Sequence, residues 1–161
     1  MDQSKSLEKP VSVVTDDRRL TMRLMGLWQD SRFAGEPFAR AEQFMAELPD
    51  ELLSDCCFIE KGADGRWLVH DIGATIGRCS GVAAASVKID DLPPGSLIAV
   101  AVDEIYRAYK YQTPIVNEGH ARDKDGRKTL FRSILVPLAD ASGETTSFVA
   151  GARCRVCIHD N

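Results

Sequence analysis

No stretch of this chain approaches the roughly 18 consecutive apolar residues that a membrane span requires. The opening, Met1 to Pro10, is polar and lacks the apolar core of a signal peptide. A cytoplasmic location, with no membrane as partner, is the expectation. Positive charge is not in excess either: the net charge is −4, whereas a nucleic-acid binder usually carries a basic face, so no nucleic-acid partner is expected. The chain has no phosphate-binding glycine loop, no HExxH and no Ser-His-Asp pattern. Histidine is scarce, with three residues, His70, His120 and His159. Cysteine is odd in number, five residues, which argues against a disulfide framework. Cys154-Arg155-Val156-Cys157 has the spacing of zinc and redox sites, but it falls in a strand-like run, where residues three apart point to opposite faces. A zinc site also needs a second close pair of ligands, and none is present, so no metal is expected. No internal repeat or low-complexity tract is visible.

What is present is ordinary globular material. A length of 161 residues, 44% hydrophobic and 27% charged, fits one domain with a sizeable core. Its clearest pattern runs from Pro114 to Cys157. Strand-like runs at Pro114–Asp123, Arg127–Ala139 and Thr145–Cys157 are separated by Lys124-Asp125-Gly126 and by Asp140-Ala141-Ser142-Gly143-Glu144. Gly and Asp tolerate the positive φ of tight loops, so the stretch reads as an antiparallel meander. In the last run Phe148, Ala150, Ala152, Cys154 and Val156 make one apolar face, opposite Arg153 and Arg155. The run from Leu130 to Leu138 is apolar on both faces and therefore needs cover on both sides.

Upstream, residues 1–15 read as a flexible arm in which Val11, Val13 and Val14 could form a short docking strand. Asp16-Asp17 supplies a cap for a leading helix over about residues 16–31. Its stripe of Leu20, Leu24, Leu27 and Trp28 has helical spacing. That stripe either packs on its own domain or pairs with a second copy. A second helix is expected over Phe38–Leu48, then a hairpin from Asp55–Lys61 and Arg66–Gly73 around Gly62-Ala63-Asp64-Gly65. Ala74 to Pro94 reads as irregular, with short helical turns. A long helix capped by Ser96 runs to about Gln112, where Pro114 closes it. Five strands interrupted by helices give an α+β architecture, a five-stranded antiparallel sheet with helices on one face and an N-terminal amphipathic helix. The helix bearing Trp28 is the natural cover for the outer side. The domain so defined covers residues 16–157, followed by a tail at 158–161.

That order of elements, and some local wording, resembles the PAS domain, specifically a bacterial subgroup of short stand-alone PAS proteins. The likeness rests on Leu27-Trp28 in the leading helix, Pro37-Phe38-Ala39-Arg40, the run Asp64 to Ala74, Gly77-Arg78-Cys79-Ser80-Gly81, and Leu130 to Leu138 with its closing Val136-Pro137-Leu138. It covers roughly Leu20 to Ala152. Two positions depart: Ala74 follows Gly73 in place of Thr, and Cys79-Ser80 stands in place of Asp-Thr. The resemblance implies a non-enzymatic sensory or regulatory module, often a homodimer through the leading helix. It would take a small molecule or a protein partner in a signalling pathway, and with no output domain attached it would act through that partner or through self-association. Haem-bearing relatives carry a His on the long helix before the third strand. Ser96 to Gln112 has none, which argues against haem. Flavin-bearing relatives carry Asn-Cys-Arg where this chain reads Gly77-Arg78-Cys79-Ser80, which argues against a flavin adduct.

The candidate pocket residues are Trp67, Val69, Tyr106, Tyr109, Arg132 and Ile134. Aromatic bodies with polar tips suit small-molecule sites. A guanidinium in the apolar company of Leu130, Ile134 and Val136 is either paired with a carboxylate or aimed at an anionic ligand. The candidate dimer helix is the stripe Leu20, Leu24, Leu27 and Trp28. Core packing accounts for the same residues equally well. Two further readings stay open. One is a small acid–base enzyme on a cone-shaped α+β fold, with His70 or His120 and a carboxylate such as Asp103. The other is an adaptor with a filled core and no pocket. The pairs His70/Asp71 and His120/Glu118 are sequence neighbours on strands, so neither is expected to be preassembled.

Overall fold

The computed structural model describes residues 19–156. The arm over residues 1–15, the Asp16-Asp17 cap, Cys157, His159 and the 158–161 tail lie outside the described residues. Helix α1 covers residues 19–30 and α2 covers Ala41–Glu47. A 3-10 turn at Asp50–Asp55 leads into β1, Cys56–Lys61, and β2, Trp67–His70. Then come α3 (Ala74–Ser80), β3 (Ser86–Lys88), α4 (Leu97–Ala101) and α5 (Ile105–Tyr111). The meander closes the fold as β4 (Ile115–Arg122), β5 (Lys128–Ala139) and β6 (Thr145–Val156). Gly126 at φ +80° and Gly143 at φ +89° occupy the left-handed positions of its two loops.

The early hairpin and the late meander join edge to edge. Strand β1 pairs with β6 antiparallel, Cys56 opposite Gly151 and Ile59 opposite Phe148. The result is one antiparallel sheet of order β3-β2-β1-β6-β5-β4. This is the expected α+β architecture, with all five expected strands. The sixth, β3, lies within a segment read from sequence as irregular. Three residues are too few to show alternation, and the pairing of Val87 with Val69 on β2 is what makes it a strand.

Alternation along β5 sends successive side chains to opposite faces, and both faces are covered. On the inner face Phe131, Leu135, Phe148, Ala150, Ile59 and Val69 pack with residues of α3, α4 and α5. On the outer face Ile134, Val136, Leu138 and Val149 pack with Leu20, Leu24 and Trp28 of α1 and Phe44 of α2. So α1 covers the outer side as expected and α2 joins it there, while α3, α4 and α5 lie on the inner face. The single long helix expected over Ser96–Gln112 is two. Ser96 does cap α4, its hydroxyl accepting from Ala99 N–H at 3.3 Å. Beyond it, the N–H groups of Asp103 and Ile105 reach back only three residues, to Val100 and Val102 carbonyls. That tighter turn resets the phase, so Ile105 and Ala108 stay in the core along with Ile98 and Ala101. Helix α3 starts where Ser54 Oγ accepts from Thr75 N–H at 3.1 Å.

Candidate functional site

Helix α1 lies close against β6. A side chain at Gly151 would meet Leu24 Cδ1, so glycine there is what lets the helix approach. Leu20, Leu24 and Trp28 are buried beneath it and Leu27 half-buried. The candidate dimer stripe is therefore largely enclosed within the protomer. A second copy meeting this helix would use another side, that of Met22, Met25 and Gln29.

Because α1 sits over β5 and β6, the β4 side of the outer face is left uncovered. A groove of about 410 Å³ opens there, lined by Thr21, Met22, Met25, Gly26 and Gln29 from α1 and by Val116 and Arg132 from the sheet. Met22 is 69% exposed and Val116 46%. Methionine walls adapt their shape to what they meet. At Gly26 an added Cβ would meet nothing within 4 Å, so this part of the wall is open. The polar feature is Arg132, whose Nη2 lies 2.6 Å from Oε2 of Glu118, its cross-strand neighbour. Of the two readings of this guanidinium, the structure realises the carboxylate pair. Glu118 is largely exposed and Arg132 is not, so the cation is built into the floor while its counter-ion stands at the rim.

The six candidate pocket residues divide between the two faces of the sheet. Trp67 lies at the inner face, its ring edge-on to Phe148 at 5.1 Å and to Tyr109 at 6.5 Å, with Lys61 Nζ 5.3 Å from the ring centroid. Val69 is buried in the same cluster. Tyr109 is 40% exposed and Tyr106, at 78%, points to solvent. Arg132 and Ile134 are on the outer face, and Ile134 is wholly buried. Of the six, only Arg132 borders the groove. Of the other lining residues, those of α1 flank its leucine stripe rather than belong to it, and Val116 is brought to the groove by the pairing of β4 with β5, so none stood out in the sequence.

His70 corrects one expectation. Strand β2 ends at His70, and Asp71 takes a left-handed φ of +46°, which swings its carboxylate back to His70 Nδ1 at 3.1 Å. Glu60 Oε1 approaches Nε2 at 3.2 Å, and the ring stacks on Phe58. Both carboxylates are exposed at the sheet surface. His120 is exposed on β4, and Asp103 is exposed at the α4–α5 turn across the sheet. Neither expected histidine therefore shares a site with Asp103. Among the described residues no group of three His, Cys, Asp or Glu could hold a metal ion, and no helix is long and apolar enough to cross a membrane.

No family model matches the chain, and no curated protein does. Solved structures of similar shape include the light-state LOV domain of the blue-light photoreceptor Aureochrome1, at 14% identity and TM-score 0.46, covering 70% of this chain and 91% of that one. The PAS domain of Bordetella pertussis BvgS is 17% identical with TM-score 0.42, covering 74% and 89%. The LOV domain of the Erythrobacter litoralis EL346 blue-light activated histidine kinase is 12% identical with TM-score 0.43, covering 63% and 95%. The likeness is one of shape; with TM-scores below 0.5 it carries no argument about this chain, whose architecture rests on its own strand order.

Proposed function

We propose that this chain is a non-catalytic sensory or regulatory module of the PAS type, cytoplasmic, whose signal is a small molecule seated between the leading helix and the sheet. The observation that carries this reading is the groove floored by Arg132 and walled by Met22, Met25 and Val116. Its size falls within the about 300–1,000 Å³ usual for small-molecule sites. The chemistry that fits is an apolar body ending in a carboxylate, which would take the place of Glu118 on a cation already held in position. Binding would change the position of α1 only if the ligand favours one helix position over another. The changed outer face would then be presented to a partner protein in a signalling pathway.

The test is to titrate the purified protein with octanoate and phenylacetate and follow backbone amides by NMR. Shifts should concentrate at Met25, Gly26, Val116 and Arg132. Gly26→Leu, which fills the groove from a helical position with open space around it, should abolish them, and Arg132→Gln should weaken affinity about tenfold. An unresponsive α1, or shifts confined to the α4–α5 side, would remove this reading. A second reading, a homodimer through the same face, is favoured by the exposed Met22, Val116 and Leu130. Native mass spectrometry would then give a dimer that Val116→Glu splits.

A further inference from the structure

The cover that α1 gives the outer face stops short of one end of the sheet. Ile134, Val136 and Leu138 of β5 are buried beneath it, whereas Leu130, on the same face of the same strand, is 36% exposed. Register sets the neighbours of Leu130 on that face. Across the strands stand His120 of β4 and Arg155 of β6, and two residues to either side along β5 stand Lys128 and Arg132. Arg122 and Arg155 are exposed and Lys128 half-buried. Arg122 is directly opposite Lys128, and Arg153 directly opposite Arg132. The second of these like-charged pairs is neutralised, Arg132 by Glu118 at 2.6 Å and Arg153 by Asp55 at 3.0 Å. The first is not. Arg122 donates to the Gly126 carbonyl at 3.3 Å, and the nearby Asp123 and Asp125 are engaged by Arg127. Among the described residues, Arg122, Lys128 and Arg155 form no ion pair with a carboxylate. Like charges directly opposite across two strands destabilise a sheet, and no contact described within the fold offsets that cost.

We propose that this end of the outer face docks an acidic segment of a partner protein, one in which an apolar side chain is flanked by aspartate and glutamate. Leu130 takes the apolar side chain, and Arg122, Lys128 and Arg155 take the carboxylates around it. An apolar centre with a charged rim is the usual build of a docking surface. Charge complementarity selects the occupant. The chain as a whole carries −4, so a local cluster of unpaired cations steers an acidic partner to this place and to no other basic face of comparable size. A second copy docked by the same end would set cation against cation. Single-stranded nucleic acid is held by stacking its bases on aromatic side chains, but the exposed Tyr106, Tyr109 and Tyr111 belong to α5, whose Ile105 and Ala108 pack on the inner face. This is the face that the sensory module would present to its partner, and the docking site rests on that reading for its role. It meets the groove only at Arg132.

The test follows the fluorescence anisotropy of a labelled acidic peptide, one leucine flanked on each side by glutamate and aspartate, as the full chain is added. Binding should saturate at about 0.01 M salt and weaken several-fold at about 0.15 M, where the screening length falls from about 30 Å to about 8 Å. Lys128→Glu turns the like-charged pair with Arg122 into an ion pair. It should raise the melting temperature while weakening peptide binding about tenfold, so the loss cannot come from unfolding. Leu130→Ser, or serine for leucine in the peptide, should weaken binding about fivefold and leave its salt dependence in place. Octanoate-induced amide shifts at Gly26 should be the same in Lys128→Glu, which separates failure here from failure of the groove. No saturable binding at low salt, binding indifferent to salt or to Lys128→Glu, equal binding of the serine peptide, or tighter binding of oligothymidylate would each overturn the proposal.

Discussion

One carboxylate organises the β5–β6 turn. Asp140 accepts from the hydroxyl and the N–H of Ser142 and from the N–H of Glu144. These bonds, the Ser142 hydroxyl first, hold its carboxyl below the usual range. The folded value lies under the unfolded one, so the contribution to stability is complete above the unfolded value and is lost as pH falls through the folded one. NMR titration should place the Asp140 carboxyl below an ordinary aspartate, with turn amides exchanging faster as it protonates. Asp140→Asn should flatten that acid limb without a comparable change near neutral pH. The turn was legible in sequence because Asp-x-Ser-Gly-Glu carries its own local bonding pattern. The His70–Asp71 contact was not, because nothing in the order of residues announces a non-glycine left-handed bend at the end of β2.

At the scale of the element, α1 is the informative case. Its leucine stripe was readable from spacing, as was the need of β5 for cover on its second face. Where the helix would sit was not, since that is decided by a missing side chain on β6. A Cβ at Gly151 meets the far end of Leu24, which a rotamer change can relieve, whereas a branched side chain leaves no such escape. Gly151→Val should therefore cost about 1–3 kcal/mol and raise hydrogen exchange over residues 20–28, while the amides of β1, β2 and α4 keep their protection. Equal protection throughout would mean that the helix tolerates the displacement. The break between α4 and α5 escaped the sequence because Val102 continues the apolar pattern on which a single helix was expected. Strand β3 escaped for the opposite reason: its pairing with β2 is a tertiary contact, and its own three residues are too few to declare it.

At the scale of the whole molecule, two apolar clusters share one layer of strands. Removing residues 1–30 uncovers Ile134, Val136, Leu138 and Val149 at once. The truncated protein should bind a hydrophobic dye and associate, where the full chain does neither to the same degree; light scattering alongside dye fluorescence checks this. The same shared layer explains why the fold was more legible than the candidate site. Element order follows from turns and periodicity, one segment at a time. Whether Trp67 and Arg132 point the same way depends on the register of β2 on β1, β1 on β6 and β6 on β5 together, and no local pattern holds that sum. The way α1 is fastened has a mechanical consequence. At its far end Ser31 Oγ donates to Leu27 O at 2.7 Å, Arg32 bridges Ala39, and Ala139 N–H bonds Ala39 O at 2.9 Å. Along the rest of the helix the ties to the sheet are mainly side-chain contacts. Residues 19–30 thus make a rod of about 18 Å on a fulcrum at Ser31, and a tilt of about 10° there moves Arg19 through about 3 Å. Under the proposed sensing role, a slight wedge near Gln29 would become a stroke several times larger at Arg19, and the helix would work as a lever on whatever occupies its flank.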